Sequence, residues 1–372
     1  MGVAEVTGFG DYGGSCGCGG YECAVLLGTE ENRTDGTQRR RGEVMRRVAV
    51  LLVAVVVIYG AAPAMGSAVG GAILQWGIEK ILDWAWDSAK EYITKTPADD
   101  IKEGAEQGDI EAQYCLSLMY YEGYMVSQNY AEAFKWCKKA AEHGHAGAQC
   151  FLGNMYAFDN GNHSEAVIWY QKSAEQNYAI AQYNLGNMYA FGCGVTQNYS
   201  EAVTWYRKSA EQGFSEAQYN LGVMYAFGEG VKQDKSEAVK WYRKAAKQNL
   251  SEAQFRLGLM YASGEGVKQS YTEAVKWWSK ATEQGETNAQ FMLGLMYYNG
   301  LGVRQNKFQA FKLLNEAARH GHAEAQYNVG IMYAFGDGVG YNKSEAMKNF
   351  RKAAQNGNIK AQEILSKLDE TW

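Results

Sequence analysis

The sequence predicts an all-α fold, an array of seven helix hairpins closed at each end by a capping helix. Three observations predict it. An Ala-Gln pair returns at Ala112, Ala148, Ala181, Ala217, Ala253, Ala289, Ala325 and Ala361, at intervals of 36 residues with a single interval of 33. A fixed period of this size, kept over most of a chain, marks a repeat array. Each repeat holds two segments with apolar residues at helical spacing, and both segments are bracketed by capping residues and glycines. Seven whole repeats fill 112–360 of a solenoid over 101–360, and an eighth opens at Ala361 and stops.

Residues 1–44 are Gly-rich, without helical or strand period, and too poor in apolar residues for a core. They read as a disordered tail or an over-long start. Cys16, Cys18 and Cys23 have no companion His or second Cys pair, so a metal site is not expected there. Met45-Arg46-Arg47, the apolar run Val48 to Tyr59 and the small residues Gly60 to Ala68 follow the order of a secretory signal peptide. Residues 45–68 are therefore read as a signal peptide, cut after Ala64 or Ala68, with a signal anchor as the alternative. The strongly apolar part is short for crossing about 30 Å of hydrocarbon. Over 69–100 a capping helix and linker are expected. Leu74, Ile78, Ile81, Ala85, Ala89 and Tyr92 recur at helical spacing, and Thr94 to Asp100 contain Pro97. A membrane-surface helix would show the same stripe. A cap over the first repeat is favoured because solenoids need terminal caps. Residues 101–107 complete a partial helix ending at Gly108.

Positions in a repeat are counted here from its Ala-Gln alanine as zero. In the first segment, helix A, positions zero, four, seven and eight (Ala217, Leu221, Met224 and Tyr225 in one copy) form a core stripe. Position five is Gly in six repeats and Ser117 in the first. Gly inside a helix costs about 1 kcal/mol against Ala, so close approach by another helix is expected there. A GxGV turn follows, as in Gly228 to Val231, and repeat two lacks it. The second segment, helix B, starts after Asn129, Asn162, Asn198, Asp234, Ser270, Asn306 and Asn342. Glu, or Gln309, stands three residues later, which is a capping-box spacing. Gly or Asn then closes each repeat in the C′ position. At the far end, 361–372 are expected to form a polar capping helix.

The recurring AQ-x-x-LG-x-MY, G-x-GV and EAV-x-WY-x-KAA-x-x-G resemble the Sel-one-like repeat family, a subclass of tetratricopeptide-like α/α repeats. Repeats six and seven depart from it, with Leu313 and Asn349 where Trp is usual. The resemblance implies a right-handed α/α solenoid superhelix that serves as a protein-binding scaffold, not an enzyme. Exported relatives include immunity proteins, which implies an effector-neutralising role as one version. A hydrolase acting on cell-wall components, proposed for Cys-rich relatives, is the alternative.

The net charge of −5 gives no footprint for nucleic acid. No nucleophile motif, Walker loop or zinc-ligand series is present, and no cofactor is expected. The repeated Glu residues are explained by helix capping. His143, His145, His320 and His322 read as polar turn residues. Cys115, Cys137, Cys150 and Cys193 are an even count in an exported chain and permit disulfides, with Cys115–Cys137 or Cys137–Cys150 as the pairs within reach.

A ligand is expected on the helix-A stripe opposite the core, the concave face in such arrays. There Asn154, Asn184, Asn187 and Asn220 supply amides, and Tyr183, Tyr219, Phe191 and Phe227 supply aromatic area. Asn154 and Asn187 should project near Asn184 and Asn220 of the following repeats. Peptide-clamping tetratricopeptide domains resemble this arrangement, but the Lys partners of a carboxylate clamp are missing. The expected partner is a protein or peptide in this groove, in the periplasm or outside the cell, with membrane attachment only if the signal segment is uncleaved.

Overall fold

The computed structural model describes residues 98–159 and 161–367; the tail, signal segment and most of the N-terminal cap lie outside them. The described residues form sixteen α-helices and one short π-helical turn, with no strand among them. They divide into two compact units, the first ending at Phe214 and the second beginning at Ser215.

In the first unit α1 (Ala98–Glu106) precedes three hairpins: α2 (Ile110–Glu122) with α3 (Tyr130–Glu142), α4 (Ala146–Asn154) with α5 (His163–Glu175), and α6 (Ala179–Phe191) with α7 (Tyr199–Glu211). The second unit has four: α8 (Ser215–Phe227) with α9 (Lys235–Lys247), α10 (Ser251–Ser263) with α11 (Tyr271–Glu283), α12 (Thr287–Asn299) with α13 (Lys307–Arg319), and α14 (Ala323–Phe335) with α15 (Lys343–Gln355). It ends in α16 (Ile359–Lys367). Residues 98–100, expected in the linker, belong to α1, which begins at Ala98. No helix among the described residues is long and apolar enough to cross a membrane.

Position five is where the hairpins close. A Cβ on Gly153, Gly186 or Gly222 would lie 2.6–2.7 Å from a ring carbon of Tyr170, Tyr206 or Tyr242 on the partner helix B. Trp278, Leu314 and Phe350 take the same place against Gly258, Gly294 and Gly330. The first repeat has Ser117 at this position and Cys137 where the others carry a large side chain, and both are buried. A larger residue on one helix is matched by a smaller one on the other, as close packing requires.

The start of helix B is half as predicted. Each N-cap side chain accepts from the N3 amide, for instance Asn129 Oδ1 from Glu132 at 3.2 Å and Asp234 Oδ1 from Glu237 at 2.9 Å. The reciprocal bond of a capping box is not formed. The N-cap amide donates instead to the carbonyl at position eight of helix A, Asn129 to Tyr120 and Asn306 to Tyr297 at 2.8 and 2.9 Å. The freed Glu turns to a Lys one turn on, as in Glu237–Lys240 at 2.6 Å. Position eight, expected in the core, is half-buried.

The repeat-closing Gly and Asn adopt left-handed backbone, with φ of 98° at Gly213 and 65° at Asn177. In the GxGV turns the second glycine presses on the preceding repeat. A Cβ on Gly266 would stand 2.2 Å from the Lys235 carbonyl oxygen, which only Gly tolerates. In repeat two, helix A ends in the π turn Met155–Asp159. Asn162 N still donates to Tyr156 O at 2.8 Å, so the three-residue deletion is absorbed before the N-cap.

The glutamine of the Ala-Gln pair is buried in all seven repeats. Its side chain ties three helices together. Gln254 Nε2 donates to Ala246 O at 3.2 Å, at the end of α9, and its Oε1 accepts from Gln284 Nε2 at 2.8 Å, at the end of α11. Gln149, Gln182, Gln218 and Gln326 accept in the same way from Gln176, Gln212, Gln248 and Asn356. The donor position is His143 or His320 in the two remaining repeats, and there Gln113 Oε1 and Gln290 Oε1 have no partner. The second histidine of each turn caps the next helix A: His145 and His322 Nδ1 accept from Ala148 and Ala325 amides at 2.9 and 3.2 Å. Burial holds the His322 pKa below the usual imidazole value, with Glu324 opposing, which keeps Nδ1 able to accept.

All four described cysteines are buried free thiols, and neither of the pairs the sequence permitted is bonded. Cys137 Sγ donates to Ala148 O at 3.3 Å, and Cys150 Sγ accepts from Asn184. Burial, with Glu111 and Asp109 nearby, pushes the Cys115 thiol up to about 12. These sulfurs act as small apolar core atoms.

Candidate functional site

The first unit brings three of the four predicted amides onto α4 and α6. Asn154 Oδ1 accepts from the Tyr170 hydroxyl at 2.7 Å and from Asn184 Nδ2 at 3.2 Å. Asn187 Oδ1 accepts from the Tyr206 hydroxyl at 2.7 Å. Both tyrosines are the rings that lie on Gly153 and Gly186. One side chain thus closes the hairpin and sets the amide beside it. Where position six is apolar, as at Val223, Leu259, Leu295 and Ile331, no such pair is possible. Tyr170 and Tyr206 were missed as positioning residues, although the signal was present: Asn at position six occurs with Tyr on helix B.

The expectation that all four amides stand on the solvent side needs correction. Asn184 is only 7 % exposed and bridges α6 to α4, reaching Cys150 Sγ at 3.8 Å as well as Asn154. It is a structural bond between repeats. Position three lies only about 40° from position seven around a helix advancing about 100° per residue, so it sits on the edge of the core stripe. Asn154 and Asn187 are half-buried. Tyr183 is buried too, its ring 5.1 Å from Phe214 and 6.0 Å from Tyr206. Phe158 and Phe191, one on each repeat just beyond the amides, are exposed.

In the second unit Tyr219 and Asn220 are half-buried, and the Tyr219 ring lies 5.8 Å from Tyr242. Phe227 is exposed at the end of α8. Asn220 therefore belongs to a separate unit from Asn154, Asn184 and Asn187. The further stripe there is apolar, with Phe255, Leu259, Phe291 and Met292 half-buried.

The Sel1 repeat matches seven times in succession, at residues 110–145, 146–178, 179–214, 215–250, 251–286, 287–322 and 323–358. The crystal structure of c5321, a protective antigen present in uropathogenic Escherichia coli strains displaying an SLR fold, is 35 % identical with a TM-score of 0.69. The match covers 73 % of this chain and 59 % of that one, so this chain spans about three fifths of that relative. A Sel1 repeat protein from Oxalobacter formigenes is 35 % identical with a TM-score of 0.55, over 59 % of this chain and 86 % of that chain. The immunity protein Pa5087 from Pseudomonas aeruginosa is 25 % identical over 49 % of this chain and 67 % of its own, but its TM-score of 0.34 is too low to argue from. No curated protein matches the chain. Proteins built of these repeats are generally scaffolds for protein–protein interaction. With seven consecutive matches over more than half its length and a solenoid relative 35 % identical, the chain belongs to the Sel1 repeat family.

Proposed function

We propose that this chain is a non-catalytic scaffold of the cell envelope that holds a protein or peptide segment along the helix-A face of repeats two and three. The observation that carries this reading is the pair Asn154 and Asn187, each fixed by a tyrosine hydroxyl and each followed by an exposed phenylalanine. Amides held before a ligand arrives lose less entropy on binding. With the Oδ1 atoms held by tyrosine hydroxyls, the Nδ2 groups are the donors for an extended backbone, and Phe158 and Phe191 offer apolar area. That chemistry suits recognition rather than proton transfer. Asn184 enters as a positioning residue for Asn154.

The test is isothermal titration with a peptide selected on the full chain from a displayed library. The double change Asn154→Ala with Asn187→Ala should weaken binding about tenfold or more, since each lost bond is worth about 0.5–1.5 kcal/mol. Lys240→Ala and Lys244→Ala on helix B should leave affinity unchanged. If the helix-B variants weaken binding and the Asn pair does not, this face is not the site.

The envelope location rests on the basic, apolar and small order of residues 45–68. N-terminal sequencing of protein made in its own host should begin near Met65 or Val69. An intact Met1 on cytosolic protein would refute export.

A further inference from the structure

Seven hairpins of one fold show what the fold itself requires at each position, and repeats six and seven depart from it on the solvent side. The second residue of helix B is Ser in four repeats, Ala or Thr in two, and Phe308 in repeat six. The residue before the N-cap is Gln in five repeats, where its Nε2 donates to a helix-A carbonyl at 2.8 Å, as Gln305 does to Tyr298 O. Repeat two has Gly161 there and repeat seven has Tyr341. Phe308, Phe335 and Tyr341 are 70, 77 and 68 % exposed. Phe335 stands at position ten, where repeats two to four also carry an exposed Phe, but nothing in the hairpin explains Phe308 and Tyr341, two solvated rings where copies of the same hairpin carry small or hydrogen-bonding side chains.

The turn geometry brings them to one edge. Gly338 presses against Lys307, where a Cβ would lie 2.3 Å from the carbonyl oxygen, and Phe308 follows Lys307 directly. Phe335 and Tyr341 flank the same turn, and Gly336 lies against Tyr341. Asp337 locks the arrangement, accepting from Lys307 Nζ at 3.0 Å and from the Tyr298 hydroxyl at 2.7 Å. The acids on this edge are thereby matched: Asp337 by Lys307, and Glu345 by Lys348 at 3.2 Å. Arg304 and Lys343 are exposed and form no ion pair among the described residues, so the unbalanced charge on the edge is positive.

We propose that this edge rests on an anionic lipid surface, with Phe308, Phe335 and Tyr341 entering the headgroup layer and Arg304 and Lys343 meeting the phosphates. The rings protrude rather than line a groove, so a folded partner would need pockets shaped to receive them. A headgroup layer accepts protruding rings without a preformed shape, and Tyr can keep its hydroxyl in water. Each cation near such a surface adds attraction that falls with salt.

The surface is separate from the helix-A face of repeats two and three, so either can fail alone. Because residues 48–59 are themselves apolar, amide hydrogen exchange read locally is more telling than total vesicle binding. In the full chain, residues 301–310 and 335–345 should exchange several-fold more slowly with phosphatidylcholine vesicles holding about 30 % phosphatidylglycerol, and at the unliganded rate with phosphatidylcholine alone. The triple change Phe308→Ser, Phe335→Ser and Tyr341→Gln should abolish the slowing while the circular dichroism stays as in the wild type. Each of these changes installs a residue that another repeat carries at the same position, Ser263 in the case of Phe335→Ser. Unchanged exchange at these loops on anionic vesicles overturns the proposal. So does equal slowing on neutral vesicles, or slowing with protein concentration alone, which would assign the edge to a second copy.

Discussion

Gly222→Leu should lower stability by about 2–4 kcal/mol, at or above the usual range for overpacking a core. The Tyr242 ring is buried, and even a Cβ at Gly222 would fall 2.7 Å from its Cδ1. The ring cannot swing aside without opening the hairpin. Denaturant unfolding followed by circular dichroism would show the loss as a lower midpoint, and a midpoint that barely moves would mean the ring does not pack on the glycine. A cycle makes the test sharper. Gly222→Ser alone should cost about 2 kcal/mol, and Tyr242→Cys alone about 3 kcal/mol as a cavity. Together they should cost at least about 1 kcal/mol less than their sum. The first repeat already combines Ser117 with Cys137 in these two places.

The second large loss is expected at Gln254. Replacing it with Leu should cost about 2–4 kcal/mol, because the Ala246 carbonyl and the Gln284 amide both lose a buried partner. Gln113→Leu should cost less, since its Oε1 has no partner to lose. The converse change, His143→Gln, should stabilise the first unit by about 1 kcal/mol by supplying the donor that other repeats have. Thermal melting of the three variants checks all of this. Equal losses at Gln254 and Gln113 would show that the glutamine acts only by filling space.

What was legible in the sequence was local. N-caps, closing glycines and the GxGV turns act within a few residues, so their chemistry reads directly from neighbours in the chain. The glycine at position five pointed to close approach, and the structure supplies the rings that approach. The buried glutamines were visible only as a marker of the period, because their bonds join Gln254 to Gln284 and Gln182 to Gln212, thirty residues apart. The capping box failed for the same reason: the N-cap amide had a better acceptor across the loop, at Tyr120 or Tyr297. Asn184 was placed in the groove by helical phase alone, yet α4 packs beside α6 and covers it. Asn154 and Asn187 remain on the half-buried flank, and what holds them, Tyr170 and Tyr206, comes from the other helix of the hairpin.

The short loop of repeat two has a practical side. Its loss of three residues leaves Asn162 bonded to Tyr156 as the corresponding N-caps are in the longer copies, so the length of this connection is uncoupled from the stack of helices around it. A connection that tolerates deletion without disturbing either helix is also a place to add chain. An epitope or a fluorescent reporter grafted between Phe158 and Asn162 would emerge next to an exposed phenylalanine of the proposed ligand face. There it could report on occupancy of that face without being built into the core.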